Sequence, residues 1–250
     1  MIRTILTDAQ WERIAPLLPG KEGDPGRSGG DNRAALEGML WIVRTGGALA
    51  RSAGVLREVV LGLETLPPVG PAGGIRCGFR GVIRRAGFRI RAHRRHHREG
   101  PPACNRRKRG TLNQAIGKSR GGLTTKVVAL VDALGNLVRF ILLPGQRHDS
   151  VGVAPLITDV EFAALIADKA FDNNALRTEL DERCALAVIP SKADRKASIP
   201  HDAEMYKWRH LVENCFQRLK EFRRIATRYD KTDTSFAAAL HLVAAFLALR

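Results

Sequence analysis

Hydrophobic residues recur with a helical period at the start of the chain. Thr7 and Gln10 form a capping-box pattern at the head of TDAQWERIAPLLPG, and a Pro-Gly pair ends that segment. A second helical segment, DNRAALEGMLWIVRTGG, begins at Asp31 and ends at Gly46. Residues 1–47 are therefore predicted to form a small helical N-terminal region.

Residues 110–250 alternate between strand and helix patterns. TTKVVALVD and NLVRFILLP predict a hairpin that turns at Gly135, and SVGVAPLI predicts a short helix after it. FAALIADKAF predicts a buried strand with Asp168 at its C-terminal end, and ALAVIPS predicts another strand. NNALRTELDERC and TSFAAALHLVAAFLALR predict helices. This order is typical of an α/β domain, where chemistry is often found at the ends of strands.

The pattern also predicts one continuous helix over 204–223. At about 100° per residue, Tyr206, Arg209, Glu213 and Lys220 share one arc of about 60°. An apolar stripe lies beside it, formed by Trp208, Leu211, Val212, Cys215, Phe216, Leu219 and Phe222. One interpretation is an amphipathic helix with ordinary surface charges. The other is a metal-binding carboxylate flanked by cations for an anionic substrate.

Composition favours a polyanionic partner. The 250 residues carry a net charge of +16, which is most simply explained by binding to nucleic acid. No apolar run approaches the roughly 18 residues of a membrane span, and the N-terminus lacks a signal-peptide core. The four cysteines are scattered without metal-binding spacing, so reduced thiols and a cytoplasmic protein without membrane contact are expected.

The excess charge is concentrated in residues 48–109. This block holds 15 Lys and Arg against 3 Glu, which is +12 of the +16, and it has no sustained helical or strand period. It could be a basic segment that binds nucleic acid. A metal cluster of His93, His96 and His97 is the other interpretation, but it has no obvious fourth ligand and neighbouring arginines would repel a cation.

The spacing Tyr206-x2-Arg209-x3-Glu213-x6-Lys220 resembles the signature Y-x2-R-x3-E-x6-K of bacterial insertion-sequence transposases of the DDE class. LIADKAFD, 45 residues upstream of the Glu, resembles the strand-end segment that carries the second catalytic aspartate in that family. RTILTDAQWERIAPLLP and NQAIGKSRGGLTTKVVALVD resemble its N-terminal helical region and central strands. The likeness covers roughly three quarters of the chain.

The resemblance implies a ribonuclease H-like catalytic domain in which three carboxylates hold two divalent ions, Mg²⁺ or Mn²⁺, for in-line phosphoryl transfer. Carried over residue by residue, Asp168 and Glu213 would be metal ligands and catalytic residues. Tyr206, Arg209 and Lys220 would contact DNA. An N-cap after a strand is the plainer interpretation of Asp168.

The implied function is transposition, with metal-dependent cleavage and strand transfer of DNA. The implied partners are double-stranded DNA, as terminal inverted repeats and target, and further copies of the chain in a synaptic complex. The implied location is the bacterial cytoplasm, in association with the nucleoid. Asp149 in QRHDS, with His148 before it, is either a site residue or a cap for the short helix that follows.

The first catalytic aspartate of the family is missing. It should precede NQAIGKSRGG by about twenty residues, yet the chain has no Asp between Asp31 and Asp132. Residues 94–102 can be back-translated with chosen codons into a DNA sequence. Translated from its second base, in the shifted frame, that DNA encodes Asp-Gly-Thr-Ile-Val-Arg-Val-His, which resembles the family's first strand. Residues 48–56 treated in the same way give Pro-Trp-Arg-Asp-Leu-Pro-Glu-Tyr, which also resembles the family. We infer a frameshift across 48–109.

The hypothesis from sequence is a DDE transposase by descent whose catalysis is impaired by the missing carboxylate. A frameshifted block of 48–109 is expected to be the least ordered part of the chain and to form no well-packed element continuous with the core. A non-enzymatic DNA-binding remnant is the alternative. Its affinity would rest on Arg94, Arg95, Arg98 and 106–109. A ribonuclease H-like nuclease without strand transfer is a third possibility.

Overall fold

The computed structural model describes residues 5–20, 24, 30–47, 82–85, 88–92, 114–119 and 122–249. For 82–85 and 88–92 it describes the backbone alone. Within these ranges no helix is both long enough and apolar enough to cross a membrane.

The first helix, α1 (Asp8–Ile14), begins as the sequence predicts. The Thr7 side chain accepts a hydrogen bond from the Gln10 amide, and the Gln10 side chain accepts one from the Thr7 amide. This reciprocal capping box satisfies two amide groups that the first helical turn leaves without partners. A single 3₁₀ turn, Ala15–Leu17, follows α1 directly.

The second helix, α2 (Asn32–Thr45), also has the predicted cap and end. The Asp31 carboxylate accepts a hydrogen bond from an amide of the first turn at 2.9 Å. Gly46 ends the helix with φ of 77°, a left-handed conformation that glycine adopts without steric cost. The Glu37 carboxylate binds the two backbone amides that precede α1, so the two helices are tied together.

The strands are β1 (Val82–Arg85), β2 (Phe88–Ala92), β3 (Gly117–Ser119), β4 (Gly122–Val131), β5 (Leu137–Pro144), β6 (Ala164–Ala167), β7 (Leu186–Val188) and β8 (Thr227–Arg228). In the described part of the chain they form two sheets. β6 lies between β1 and β7 in a parallel sheet. β4 pairs antiparallel with β5 in the predicted hairpin and also with β2 and β3, while β8 runs parallel to β2.

The remaining helices are α3 (Val153–Ile157), α4 (Asn174–Glu182), α5 (Ala203–Lys207), α6 (His210–Lys220), α7 (Arg223–Ala226) and α8 (Asp233–Ala248). Helix α7 and strand β8 were not predicted. All the predicted strands and helices of residues 122–249 are present, although the helix predicted over 204–223 is divided in two. The domain is therefore α/β, as the sequence predicts.

Strand β4 separates two hydrophobic cores, which explains the continuous apolar sequence of its second half, residues 127–131. Val127, Ala129 and Val131 face a core shared with α2, α6 and α8. Val128 and Leu130 face a second core shared with α3, α4 and β6. Because neighbouring side chains on a strand point to opposite faces, a stretch buried in an apolar core on each side favours apolar residues at every position.

The block 48–109 is described in part. Two of its segments pair with strands of the core, β1 with β6 and β2 with β4. Backbone pairing needs no periodic pattern of apolar side chains, and the prediction that the block forms no well-packed element stays a prediction. The rest of the block, including the arginines predicted to bind DNA and the three histidines, lies outside the described residues.

Candidate active site

Asp168 is the first residue after β6, whose four residues are all buried. It occupies the N-cap position of a 3₁₀ turn, Lys169–Phe171, but its side chain makes no capping hydrogen bond. The carboxylate is 38% exposed and turns toward α5 and α6 instead. The plainer interpretation of Asp168 as a helix cap therefore does not describe its contacts.

Helix α5 carries Tyr206 over the end of the parallel sheet. Tyr206 and its neighbour Met205 pack against Ile166 of β6 and Val188 of β7. This packing brings the Tyr206 hydroxyl to the carboxylate of Asp168, to which it donates a hydrogen bond of 3.1 Å. Helix α5 is positioned by these apolar contacts, and the polar contact follows from them.

The helix predicted over 204–223 is interrupted at Trp208 and Arg209. Here backbone amides bond to carbonyls three residues back, as in Arg209 to Tyr206 at 3.0 Å, so the chain tightens into 3₁₀ geometry. The uniform rotation of 100° per residue does not hold across this junction. Trp208, predicted in the apolar stripe, is consequently 50% exposed, whereas Val212 and the stripe beyond it are buried.

The junction places Arg209 between the two candidate metal ligands. Its Nη1 lies 3.3 Å from Asp168 Oδ2, and its Nη2 lies 2.6 Å from Glu213 Oε1. Two carboxylates that are 45 residues apart in sequence thus share one guanidinium. The Arg209 side chain is 32% exposed and that of Glu213 is 46% exposed, so this ion-pair cluster is open to solvent.

Lys220 is the last residue of α6, two turns beyond Glu213 and about 10 Å further along the helix axis. Near the same end of the helix, Arg218 donates a hydrogen bond of 2.7 Å to the Gly135 carbonyl in the hairpin turn. Gly135 has φ of 84°, and a Cβ there would lie 3.3 Å from the Arg218 guanidinium. The hairpin turn therefore fixes the direction in which α6 extends from the carboxylates.

The surroundings of Tyr206 raise the pKa of its phenol. Burial makes the largest contribution, and the charge and hydrogen bond of Asp168 and the charge of Glu213 act in the same direction. The charge of Arg209 opposes them. The neutral hydroxyl is thus stabilised as a hydrogen-bond donor to the carboxylate.

Asp149 does not cap the short helix that follows it. His148 is the cap, and its Nδ1 accepts a hydrogen bond from the Ser150 amide. Asp149 forms an ion pair with Lys126, a buried lysine of β4 whose amino group also donates to the Arg147 carbonyl. Of the two alternatives for Asp149, the cap is wrong, and the described contacts place it in an ion pair.

A second carboxylate after β6 was missed by the sequence analysis. Asp172 is fully buried and accepts hydrogen bonds from Arg177, from both nitrogens of the Arg195 fork and from the Lys192 amide. Burial alone would raise the pKa of Asp172, but these hydrogen bonds outweigh it and hold the pKa well below its usual range. The cluster ties the loop between β7 and α5 to the strand end beside Asp168.

The carboxylates of Asp168 and Glu213 together suit one hydrated divalent ion. Mg²⁺ and Mn²⁺ prefer carboxylate oxygens and are often held by two carboxylates, with water and substrate phosphate as the other ligands. Asp168 and Glu213 provide such a pair, and both already contact a cationic group. A two-ion site would need a further carboxylate, and the described residues contain no cluster of three potential ligands.

Two family models match the chain. The sequence model of the family "Transposase DDE domain" matches residues 89–248, which include the whole candidate site. A second family model, "Putative transposase of IS4/5 family", matches residues 6–49, which include α1 and α2.

Two individual relatives are informative. The chain is 35% identical over 130 residues to the "Putative transposase for insertion sequence element IS6501" of Brucella ovis, which covers 51% of this chain and all of the relative. It is 44% identical over 50 residues to the "Insertion element IS402 uncharacterized 16.2 kDa protein" of Burkholderia cepacia, covering 18% of this chain and 34% of that protein. The chain belongs to the insertion-sequence transposases of the DDE class.

Proposed function

We propose that this chain descends from an enzyme that cuts and joins DNA at the ends of an insertion sequence, with Asp168 and Glu213 as its metal ligands. One observation supports this most strongly. The two carboxylates come from a strand end and from a separate helix, yet both contact the guanidinium of Arg209. Two carboxylates that meet at one exposed guanidinium repel each other, so the place between them suits a cation.

The residues around the carboxylates have complementary roles in this proposal. Asp168 and Glu213 would hold the ion, Mg²⁺ or Mn²⁺, which would supply Lewis-acid stabilisation of the charge that develops on the reacting phosphate oxygens. Tyr206 orients Asp168 through its hydroxyl. Arg209 and Lys220 bind the DNA phosphates, since both lie on the helical segment that carries Glu213. A ribonuclease H-like arrangement is supported by the antiparallel hairpin of β4 and β5 and the parallel strands β6 and β7.

Catalysis by this polypeptide is proposed to be impaired by a frameshift across 48–109. β1 pairs with the wholly buried β6, yet its sequence is VIRR, and Arg84 and Arg85 stand opposite Ile166 and Ala167. Strands beside a buried parallel strand are normally apolar throughout. Strand β1 thus has arginines at positions where a strand of a buried sheet normally has apolar residues.

The test compares the chain with a version repaired to one reading frame across 48–109. Each is incubated with Mg²⁺ and the DNA that flanks its own gene, and strand cleavage is measured. The repaired chain should cut at the element ends, and Glu213→Ala should abolish that cleavage. Glu179→Ala is the matched control, because Glu179 forms a similar exposed ion pair within α4, with Arg183. Cleavage by the unrepaired chain at the repaired rate would contradict the impairment.

A non-enzymatic DNA-binding remnant is the second candidate. It is favoured by the absence of a third carboxylate beside Asp168 and Glu213 among the described residues. Such a protein should bind DNA without sequence preference, and its affinity should fall steeply with salt. The nucleotide sequence encoding residues 40–115 is decisive for the frameshift, because a second open frame there encoding the missing first strand would establish it.

A further inference from the structure

Arg209 occupies the place between Asp168 and Glu213 that a cation bound by both carboxylates would need. Nη1 contacts one carboxylate at 3.3 Å and Nη2 contacts the other at 2.6 Å. The second oxygen of Asp168 accepts the hydrogen bond from Tyr206. Both oxygens of Asp168 are therefore engaged by donors of the protein itself.

This arrangement is open enough to be exchanged. Between about a third and a half of each side chain in the cluster is exposed, so water screens the ion pairs and each contributes little to stability. Arg209 also lies at the junction of α5 and α6, where its guanidinium is held by these two carboxylates and not by packing in a core. Releasing it should disturb neither hydrophobic cluster.

We propose that Arg209 is an exchangeable counter-ion, so that its guanidinium and a divalent cation compete for Asp168 and Glu213, and a DNA phosphate that captures Arg209 strengthens cation binding. This inference rests on the proposed function of the same site. It adds to that function that cation binding by Asp168 and Glu213 depends on DNA, because the carboxylates become available when a phosphate binds Arg209.

The charges explain the coupling. Two carboxylates and one guanidinium leave a formal charge of −1, and a divalent ion placed beside the guanidinium would be repelled by it. A DNA phosphate can bind the guanidinium through two oxygens, and its charge is equal and opposite to that of the guanidinium. Once Arg209 has moved to the phosphate, both carboxylates are free for the ion. Because linkage is reciprocal, the ion should strengthen DNA binding by the same factor.

The surrounding surface suits the arrival of a phosphate. Lys169 directly follows Asp168 and is exposed, and Lys220 lies on the same face of α6 as Glu213, two turns away. A DNA backbone drawn to these cations would pass the carboxylates with Arg209 within reach of a phosphate oxygen.

The experiment is a titration with Mn²⁺ followed by electron paramagnetic resonance, with and without a short DNA duplex. The Mn²⁺ bound by an Asp168→Asn, Glu213→Gln double variant under the same conditions is subtracted from each measurement. This subtraction removes the ions that DNA or other parts of the protein bind. Without DNA, Arg209→Gln should bind Mn²⁺ roughly tenfold more tightly than the unmodified chain. DNA should tighten Mn²⁺ binding to the unmodified chain by a similar factor and leave Arg209→Gln almost unchanged.

Arg183→Gln is the matched control. Arg183 is also 32% exposed and pairs with a glutamate at the same i,i+4 spacing, but it lies in the turn after α4. It should behave as the unmodified chain does. Equal or weaker Mn²⁺ binding by a folded Arg209→Gln chain would overturn the inference and leave the metal site standing. If neither the unmodified chain nor Arg209→Gln binds Mn²⁺ through Asp168 and Glu213, the proposed metal site fails as well.

Discussion

Two aspartates that follow the same strand have opposite environments. Asp168 is 38% exposed and shares one guanidinium with a second carboxylate. Asp172, four residues later, has a side chain with no exposed surface and is surrounded by two arginines and a backbone amide. The first cluster has fewer cations than carboxylates, whereas the second has more. The Asp168 cluster therefore keeps a net negative charge, while both oxygens of Asp172 are already bonded to the two arginines and the amide.

The difference in burial distinguishes a carboxylate that stabilises the fold from one that could bind a ligand. A buried carboxylate with every oxygen bonded holds its neighbours in place and cannot accept a ligand without losing them. An exposed carboxylate with a shared partner costs little to rearrange and can exchange one cation for another. Both kinds of cluster contain Asp and Arg, so composition alone does not distinguish them.

The largest expected effect is on folding. Asp172→Ala leaves Arg177 and Arg195 without their buried partner and should lower the free energy of unfolding by about 3 kcal/mol. Asp168→Ala removes a part-exposed ion pair and the hydrogen bond from Tyr206, and should cost about 1 kcal/mol. Urea unfolding of both variants, followed by circular dichroism, measures the two values. Equal losses would remove the distinction between the two clusters.

A smaller effect is expected from acid. Because the folded-state pKa of Asp172 lies below its ordinary value of 3.8, its contribution to stability is present above that pH and is lost as the pH falls through the folded-state pKa. The stability gap between the unmodified chain and Asp172→Asn should therefore stay constant down to about pH 5 and narrow as the pH falls below 3.8. Urea unfolding at several pH values tests this. A gap that widens toward low pH would show that the carboxylate is not held in its charged form.

The smallest effect is spectroscopic and concerns the open cluster. Tyr206 and Tyr229 are the two tyrosines of the chain, so Tyr229→Phe leaves Tyr206 as the sole reporter. Its phenol should ionise above 10.0, the ordinary pKa, because burial and the charge of Asp168 oppose the phenolate. Adding Asp168→Asn should lower that pKa toward the ordinary value. Tyrosinate absorbance during an alkaline titration measures the shift, and an unchanged pKa in Asp168→Asn would argue against the hydrogen bond.

Much of the fold could be predicted from local pattern. The capping box of Thr7, the cap at Asp31 and the end at Gly46 are all present, because each depends on residues within one helical turn. The buried β6 with Asp168 at its end was predicted from apolar residues bounded by polar ones. What pattern did not reveal was the pairing of β1 and β2, since neither segment has a strand period.

The candidate site was predicted in part. The spacing of Tyr206, Arg209 and Glu213 marked them as a group, and the structure brings them together around Asp168. The helix junction at Trp208 was missed, because nothing in a uniform periodicity indicates a change to 3₁₀ geometry. The metal-binding and DNA-binding roles of these residues stay predictions.

The sequence by itself determined most of the elements of residues 122–249 and which residues could carry chemistry, since caps, apolar periods and motif spacing are properties of neighbouring residues. Only the tertiary structure decided which charges meet. Arg209 reaches Asp168 across 41 residues because Met205 and Tyr206 pack on the sheet, and Arg195 reaches Asp172 across 23. The partners of a charged side chain depend on where distant apolar surfaces pack, and burial then decides whether that partnership is permanent or exchangeable.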